Sequence, residues 1–248
     1  MNLAAPWDAP TRTDLPFLQR RAAAERVTLP RPKQARPAEP AASSGLDLSA
    51  PAPVAKPTTP VRRVSAVKPE LLTQPAPVLR LTRPQSGVGA LTVEAACSAE
   101  VGDVRLAAAY RLASGQMGLV SHEVGVAQAP AGGRPALLSK PGRFETLLVD
   151  LRQVPSLDRL LLLLFSASKT TLTWGGTLLL STTGGSRVEI GIEAPPSAGA
   201  LGVATVYQLD GELVVRAEPQ QSAPTVKDAC LMFGFDRITW LDARTPSG

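Results

Sequence analysis

From about residue 79 the chain alternates between apolar and polar positions in short runs punctuated by glycine and proline. In Leu91-Thr92-Val93-Glu94-Ala95-Ala96-Cys97 the odd positions are apolar, which is the period of a strand with one buried face. Asp103 through Leu112 repeats the pattern, with Val104, Leu106, Tyr110 and Leu112 inward and Asp103, Arg105 and Arg111 outward. Arg187-Val188-Glu189-Ile190-Gly191-Ile192-Glu193 is a third case. Thr146 to Leu151 and Arg159 to Phe165 carry apolar residues at successive positions and read as central strands buried on both sides, connected through Pro155-Ser156. Asp210-Gly211 separates two alternating runs, Val203 to Leu209 and Glu212 to Ala217, and predicts a tight hairpin. Val226, Ala229, Cys230 and Phe233 follow Pro224 at helical spacing and predict one short helix packed on a sheet before Ile238-Thr239-Trp240 closes the domain. Seven to nine strands without crossover helices predict an all-β fold, a two-sheet antiparallel β-sandwich over residues 79–243 with a tail at 244–248.

Residues 1–78 differ in kind. Fifteen of the 24 prolines fall in 1–84, and 19 of the 20 glycines fall after it. Residues 1–84 hold 13 Lys/Arg against six Asp/Glu, net +7, whereas 85–248 are net −2, so the basic character of the whole chain belongs to the leader. Alanine and proline in place of large apolar side chains predict a disordered, semi-stiff tether. Within it, 14–27 has a capping Asp14, Pro16 in the first turn and an alanine-rich body, which predicts a short helix with Leu15, Leu18 and Ala22 on one face. Transient helix in a tail is the plainer reading of this stretch. If it docks on a protein partner, Leu15, Phe17 and Leu18 are the residues that meet it. The dispersed arginines at 20, 21, 26, 31, 36, 62 and 63 also offer an alternative, nucleic-acid binding through the leader, although a solvated basic tail is the simpler account.

Chemistry is sparse. Cys97 and Cys230 are the only cysteines, too few for a disulfide framework, and both read as small buried hydrophobes. The first residues have neither a basic nor an apolar region of signal-peptide type, and the longest apolar run, Leu160 to Phe165, is far short of the ~20 residues that span a bilayer. A cytoplasmic location without a membrane span is therefore expected. The single histidine, His122, follows Ser121 directly, so on a strand the two side chains point to opposite faces and do not form a nucleophile–base pair. The glycine pairs at 132–133, 175–176 and 184–185 read as turns, and no nucleotide-binding or zinc motif is present.

The order of motifs resembles the TerD-type tellurium-resistance and stress-response family. Gly102-Asp103-Val104-Arg105-Leu106 through Tyr110-Arg111-Leu112-Ala113-Ser114-Gly115-Gln116-Met117-Gly118 is similar to its D-L-D-L-x-x-x-Y-x-L-x-D-G-x-x-G hairpin. Phe144-Glu145-Thr146-Leu147-Leu148-Val149-Asp150-Leu151 through Val154-Pro155 is similar to its D-D-E-x-I-x-V-D-L-x-x-V-P segment. Thr173-Trp174-Gly175-Gly176, Asp210-Gly211-Glu212-Leu213 and Phe233-Gly234-Phe235 follow in the family's order. The resemblance implies a β-sandwich binding module without catalytic activity and, in typical members, calcium held by clustered aspartates.

Asp103 and Glu145 match two of those acids, whereas Arg105, Arg143 and Phe144 stand where the family carries others. Arginine repels a divalent cation, and the loop from Gln128 to Gly142 has no acid. Asp103 and Glu145 are therefore read as vestiges of a lost metal site, with no cofactor expected and calcium disfavoured. Arg105 and Arg143 are expected to pair with Asp103 and Glu145 in its place. The function expected is a non-catalytic binding or scaffold module of a bacterial stress-response or tellurite-resistance system, its partner a protein, with other components of that system as candidates. An enzyme built on His122 is the weaker alternative.

Overall fold

Strands form where the alternation is strongest, and two sheets face each other across the apolar sides. The computed structural model describes residues 62–65, 68–130 and 134–247. The helix expected at 14–27, with Leu15, Phe17 and Leu18, and the glycine pair at 132–133 lie outside the described residues. One sheet runs, in spatial order, β1 (Arg62–Arg63), β3 (Val78–Leu81), β14 (Glu212–Ala217), β13 (Ala200–Leu209), β10 (Leu157–Ser166), β5 (Val104–Leu112) and β6 (Met117–Val120), with β15 (Ser222–Ala223) beside β13. The other runs β2 (Glu70–Leu72), β12 (Arg187–Gly191), β11 (Thr177–Thr182), β4 (Ala90–Ala96), β9 (Thr146–Asp150), β8 (Leu137–Lys140) and β7 (Gln128–Ala129). The protein is thus a two-sheet β-sandwich with few helices.

The strands outnumber the seven to nine expected because several are two- or three-residue edge pieces too short to show a period. All pairings are antiparallel except the outermost pairs β1–β3 and β2–β12, which are parallel. The reason is topological. The segment 62–81 lays β1 on the first sheet, crosses to add β2 to the second, and returns as β3, so β1 and β3 share a sheet through a crossover. Val64 and Leu72 from this segment are buried in the core between the sheets. The sandwich therefore begins by residue 62 and not at 79. Proline-flanked three-residue strands carry no readable alternation, which is why composition alone assigns them to the leader.

Between the sheets pack Leu91 and Val93 from β4, Leu106 from β5, Leu160, Leu162 and Leu164 from β10, and Leu178 and Leu180 from β11. The alternate residues of β10, Leu161, Leu163 and Phe165, point to the outer face of the first sheet. There they form a second core with Ala107 and Ala109 of β5 and with Ala229, Cys230, Phe235 and Ile238. The expected helix is α2 (Val226–Met232). Thr225 caps it by accepting the Asp228 N–H at 3.1 Å, and Gly234, at φ +73°, stops it while the Phe235 N–H returns to the Cys230 carbonyl. β10 is buried on both faces because α2 covers one of them. β9 is not: Leu147 and Val149 face the core, whereas Thr146, Leu148 and Asp150 stay half-exposed on an uncovered face. Trp240 forms a single bridge with Pro246 and no closing strand.

The predicted hairpin joins β13 and β14. Leu209 pairs with Glu212 across Asp210 and Gly211, both at positive φ, as a two-residue turn requires. A one-turn helix, α1 (Arg83–Ser86), follows β3. Among the described residues no helix is long and apolar enough to cross a membrane.

Candidate functional site

The two acids singled out by their motifs lie in the connections around the N-terminal end of β5. Gly102, at φ +107°, turns the chain into β5 and sets Asp103 beside the end of β10. The Asp103 carboxylate accepts from the Ser166 hydroxyl at 2.9 Å and from the Ser168 N–H at 2.6 Å. Burial raises its pKa, but the hydrogen bonds from Ser168 and Ser166 outweigh that and hold it below the ordinary 3.8.

Arg105 points the same way and does not pair with Asp103. Its Nε meets the Glu123 carboxylate at 3.3 Å, and its Nη1 donates to the carbonyls of Val104 at 3.0 Å and Arg143 at 3.2 Å. Nor does Arg143 pair with Glu145: its guanidinium lies 5.0 Å from the centroid of the Phe144 ring. Both expected ion pairs are thus replaced. The serine donors at the end of β10 occupy Asp103, and donors reached across the sheets occupy Glu145.

Glu145 is 5 % exposed and sits at φ +64°, a conformation that disfavours any side chain with a Cβ. Its carboxylate accepts from the Ser121 hydroxyl (3.2 Å to each oxygen), the His122 N–H (2.8 Å), the Glu123 N–H (3.2 Å) and the Ser139 hydroxyl (2.9 Å). Ser121 and His122 follow β6 in the first sheet, Ser139 lies on β8 in the second, and Glu145 precedes β9. One buried carboxylate therefore ties the edges of both sheets together. Ser121 drew attention in the sequence only as a neighbour of His122, and Ser139, Ser166 and Ser168 did not stand out at all. Serine is common in turns, and only Ser139, a small polar residue on the inward side of the Leu137–Lys140 strand, breaks its local pattern.

Calcium needs six to eight oxygen ligands with several carboxylates among them. Here the oxygens of Val104, Arg143 and Glu123 surround a guanidinium, and the Glu145 oxygens are engaged by four donor groups. Among the described residues no group of three or more His, Cys, Asp or Glu side chains is placed to hold a metal. The arrangement does not fit calcium. This end of the sandwich is closed by the chain's own groups: Arg105 links Glu123 to the Arg143 carbonyl, and Glu145 joins donors that follow β6 to Ser139 of β8.

The remaining sequence candidates are not drawn into this site as chemistry. His122 contributes its backbone N–H, and its exposed imidazole has no hydrogen-bond or ion-pair partner among the described residues. Ser121 is turned to Glu145. Cys230 is fully buried and burial pushes its thiol up to about 12, so it is inert; Cys97 is half-buried, less enclosed than expected, and burial raises its thiol too. No family model matches this chain, and no curated protein is significantly similar to it.

Proposed function

We propose that this chain is a non-catalytic binding and scaffold module of TerD-like type, cytoplasmic, working with a protein partner in a bacterial stress-response or tellurite-resistance system. One observation supports the reading above others: the acids at the motif positions, Asp103 and Glu145, are engaged by donors of the fold itself. Groups committed in this way position the connecting loops of the fold.

The test is affinity capture with the full chain and with the triple variant Leu15→Ala, Phe17→Ala, Leu18→Ala, each in calcium and in chelator. A specific protein captured by the full chain in both buffers and lost by the variant is the expected result. Capture of the same partner only in calcium defeats the calcium-free reading. Nuclease-sensitive capture driven by salt-dependent contacts points to nucleic acid through the leader.

A further inference from the structure

A cavity of about 400 Å³ lies away from Glu145, between the end of β10, the start of α2 and the C-terminal segment. Its apolar walls include Phe165, Pro224 and Val226, and its charged lining is Lys169, Arg244 and Asp242. The volume is that of a small-ligand site, and a few charged groups on largely apolar walls are the usual composition of one.

The charges are not balanced. Asp242 turns its Oδ1 to the N–H groups of Arg244 and Thr245, both at 2.7 Å, which satisfies it within its own turn. Arg244 donates Nη1 to the carbonyls of Ser166 (3.3 Å) and Ala167 (2.6 Å), with its guanidinium 5.9 Å from the centroid of Phe165; its charge is partly offset by Asp242, whose carboxyl is held low by the N–H groups of Arg244 and Thr245 and by the Arg244 charge, so the uncompensated cation is Lys169. Lys169 has no hydrogen bond or ion pair with any described residue. Two cations thus line the cavity against one carboxylate already engaged.

The backbone that presents Lys169 is strained. The residue sits at φ +62°, outside any glycine turn, and persists there because its neighbours are fixed. Asp103 holds Ser168, Arg244 holds the carbonyls of Ser166 and Ala167, and the Ser168 and Thr170 hydroxyls bond each other at 2.8 Å. An exposed lysine held in an unfavourable conformation at the mouth of a cavity, with no partner among the described residues, is a group placed for something else.

We infer that this cavity binds a small organic anion, an apolar body carrying one carboxylate or phosphate, with Lys169 and Arg244 meeting the charge and Phe165, Pro224 and Val226 holding the body. Asp103 is then a positioning residue for Lys169.

The experiment is calorimetric titration of the full chain with 2-naphthoate, with its neutral counterpart 2-naphthamide and with inorganic phosphate. Saturable one-to-one binding of naphthoate, at least about tenfold tighter than naphthamide, is expected. Phosphate alone binds more weakly than naphthoate because it lacks the body. Absence of saturation by about 5 mM naphthoate, or equal affinity for naphthoate and naphthamide, overturns the inference. Lys169→Gly separates charge from fold. Glycine adopts the positive φ without penalty, so its melting temperature is unchanged or higher while naphthoate affinity falls about tenfold, and Lys169→Arg retains the binding. A glycine variant that binds like the parent sinks the proposal.

Discussion

Glu145 is a buried carboxyl group that makes no ion pair among the described residues and is held by four hydrogen-bond donor groups. Removing the carboxylate leaves the Ser121 and Ser139 hydroxyls and two backbone N–H groups facing each other. Glu145→Ala therefore destabilises the protein by about 2–4 kcal/mol, measured by urea unfolding. Glu145→Gly loses the same bonds but relieves the positive φ, so it is less harmful than alanine by about 1 kcal/mol; equal losses would show that the backbone there is unstrained. Asp103 makes a prediction of a different kind. Its carboxyl is held below 3.8 in the folded state, so its contribution is complete above that pH and is lost as pH falls through the folded-state value. The stability difference between the parent and Asp103→Asn accordingly narrows below about pH 4 in urea titrations, and a difference independent of pH would refute the assignment. Both acids were marked in the sequence only by their place in segments that resemble a family's motifs. Their partners were not: Ser121 and Ser168 lie 24 and 65 positions away, and the pairing is made by the packing of two sheets.

Among the elements, those that carry a strong period were read correctly. β10 shows an unbroken apolar run because both of its faces are covered, and α2 shows helical spacing because one of its sides is. The similar run in β9 misleads, since Leu148 faces outward and stays half-exposed; hydrophobicity at successive positions does not by itself identify a covering layer. How closely α2 sits on the first sheet depends on Gly202 of β13, where a Cβ would come within 2.5 Å of the Phe233 ring. Gly202→Ala is expected to cost about 1–3 kcal/mol through that clash, and Phe233→Leu in the same chain to recover part of it. Recovery is read from denaturation midpoints. If the single substitution is neutral, the ring is not packed against the strand as described.

At the scale of the molecule, the segment 62–81 matters more than its length suggests. It contributes edge strands to both sheets and sets Val64 and Leu72 into the core between them. A chain beginning at residue 79 loses both side chains and Val78 of β3, and bares β12 and the rest of β3. Compared with a chain beginning at 62, it should lose roughly 3–5 kcal/mol of stability and aggregate through the opened edges. Equal melting curves and equal monodispersity would show that the strap is dispensable. Composition placed this segment with the leader because proline content and charge change gradually, whereas sheet membership changes at a residue.

The strap also fixes where tension enters the domain. A pull along the chain from before residue 62 reaches the two-residue pairing of β1 first and the three-residue pairing of β2 next, and only then β3, whose Leu79 and Leu81 are fully buried. The shortest pairings thus stand first in series, and under such a pull β1 and β2, with Val64 and Leu72, are expected to detach before β3.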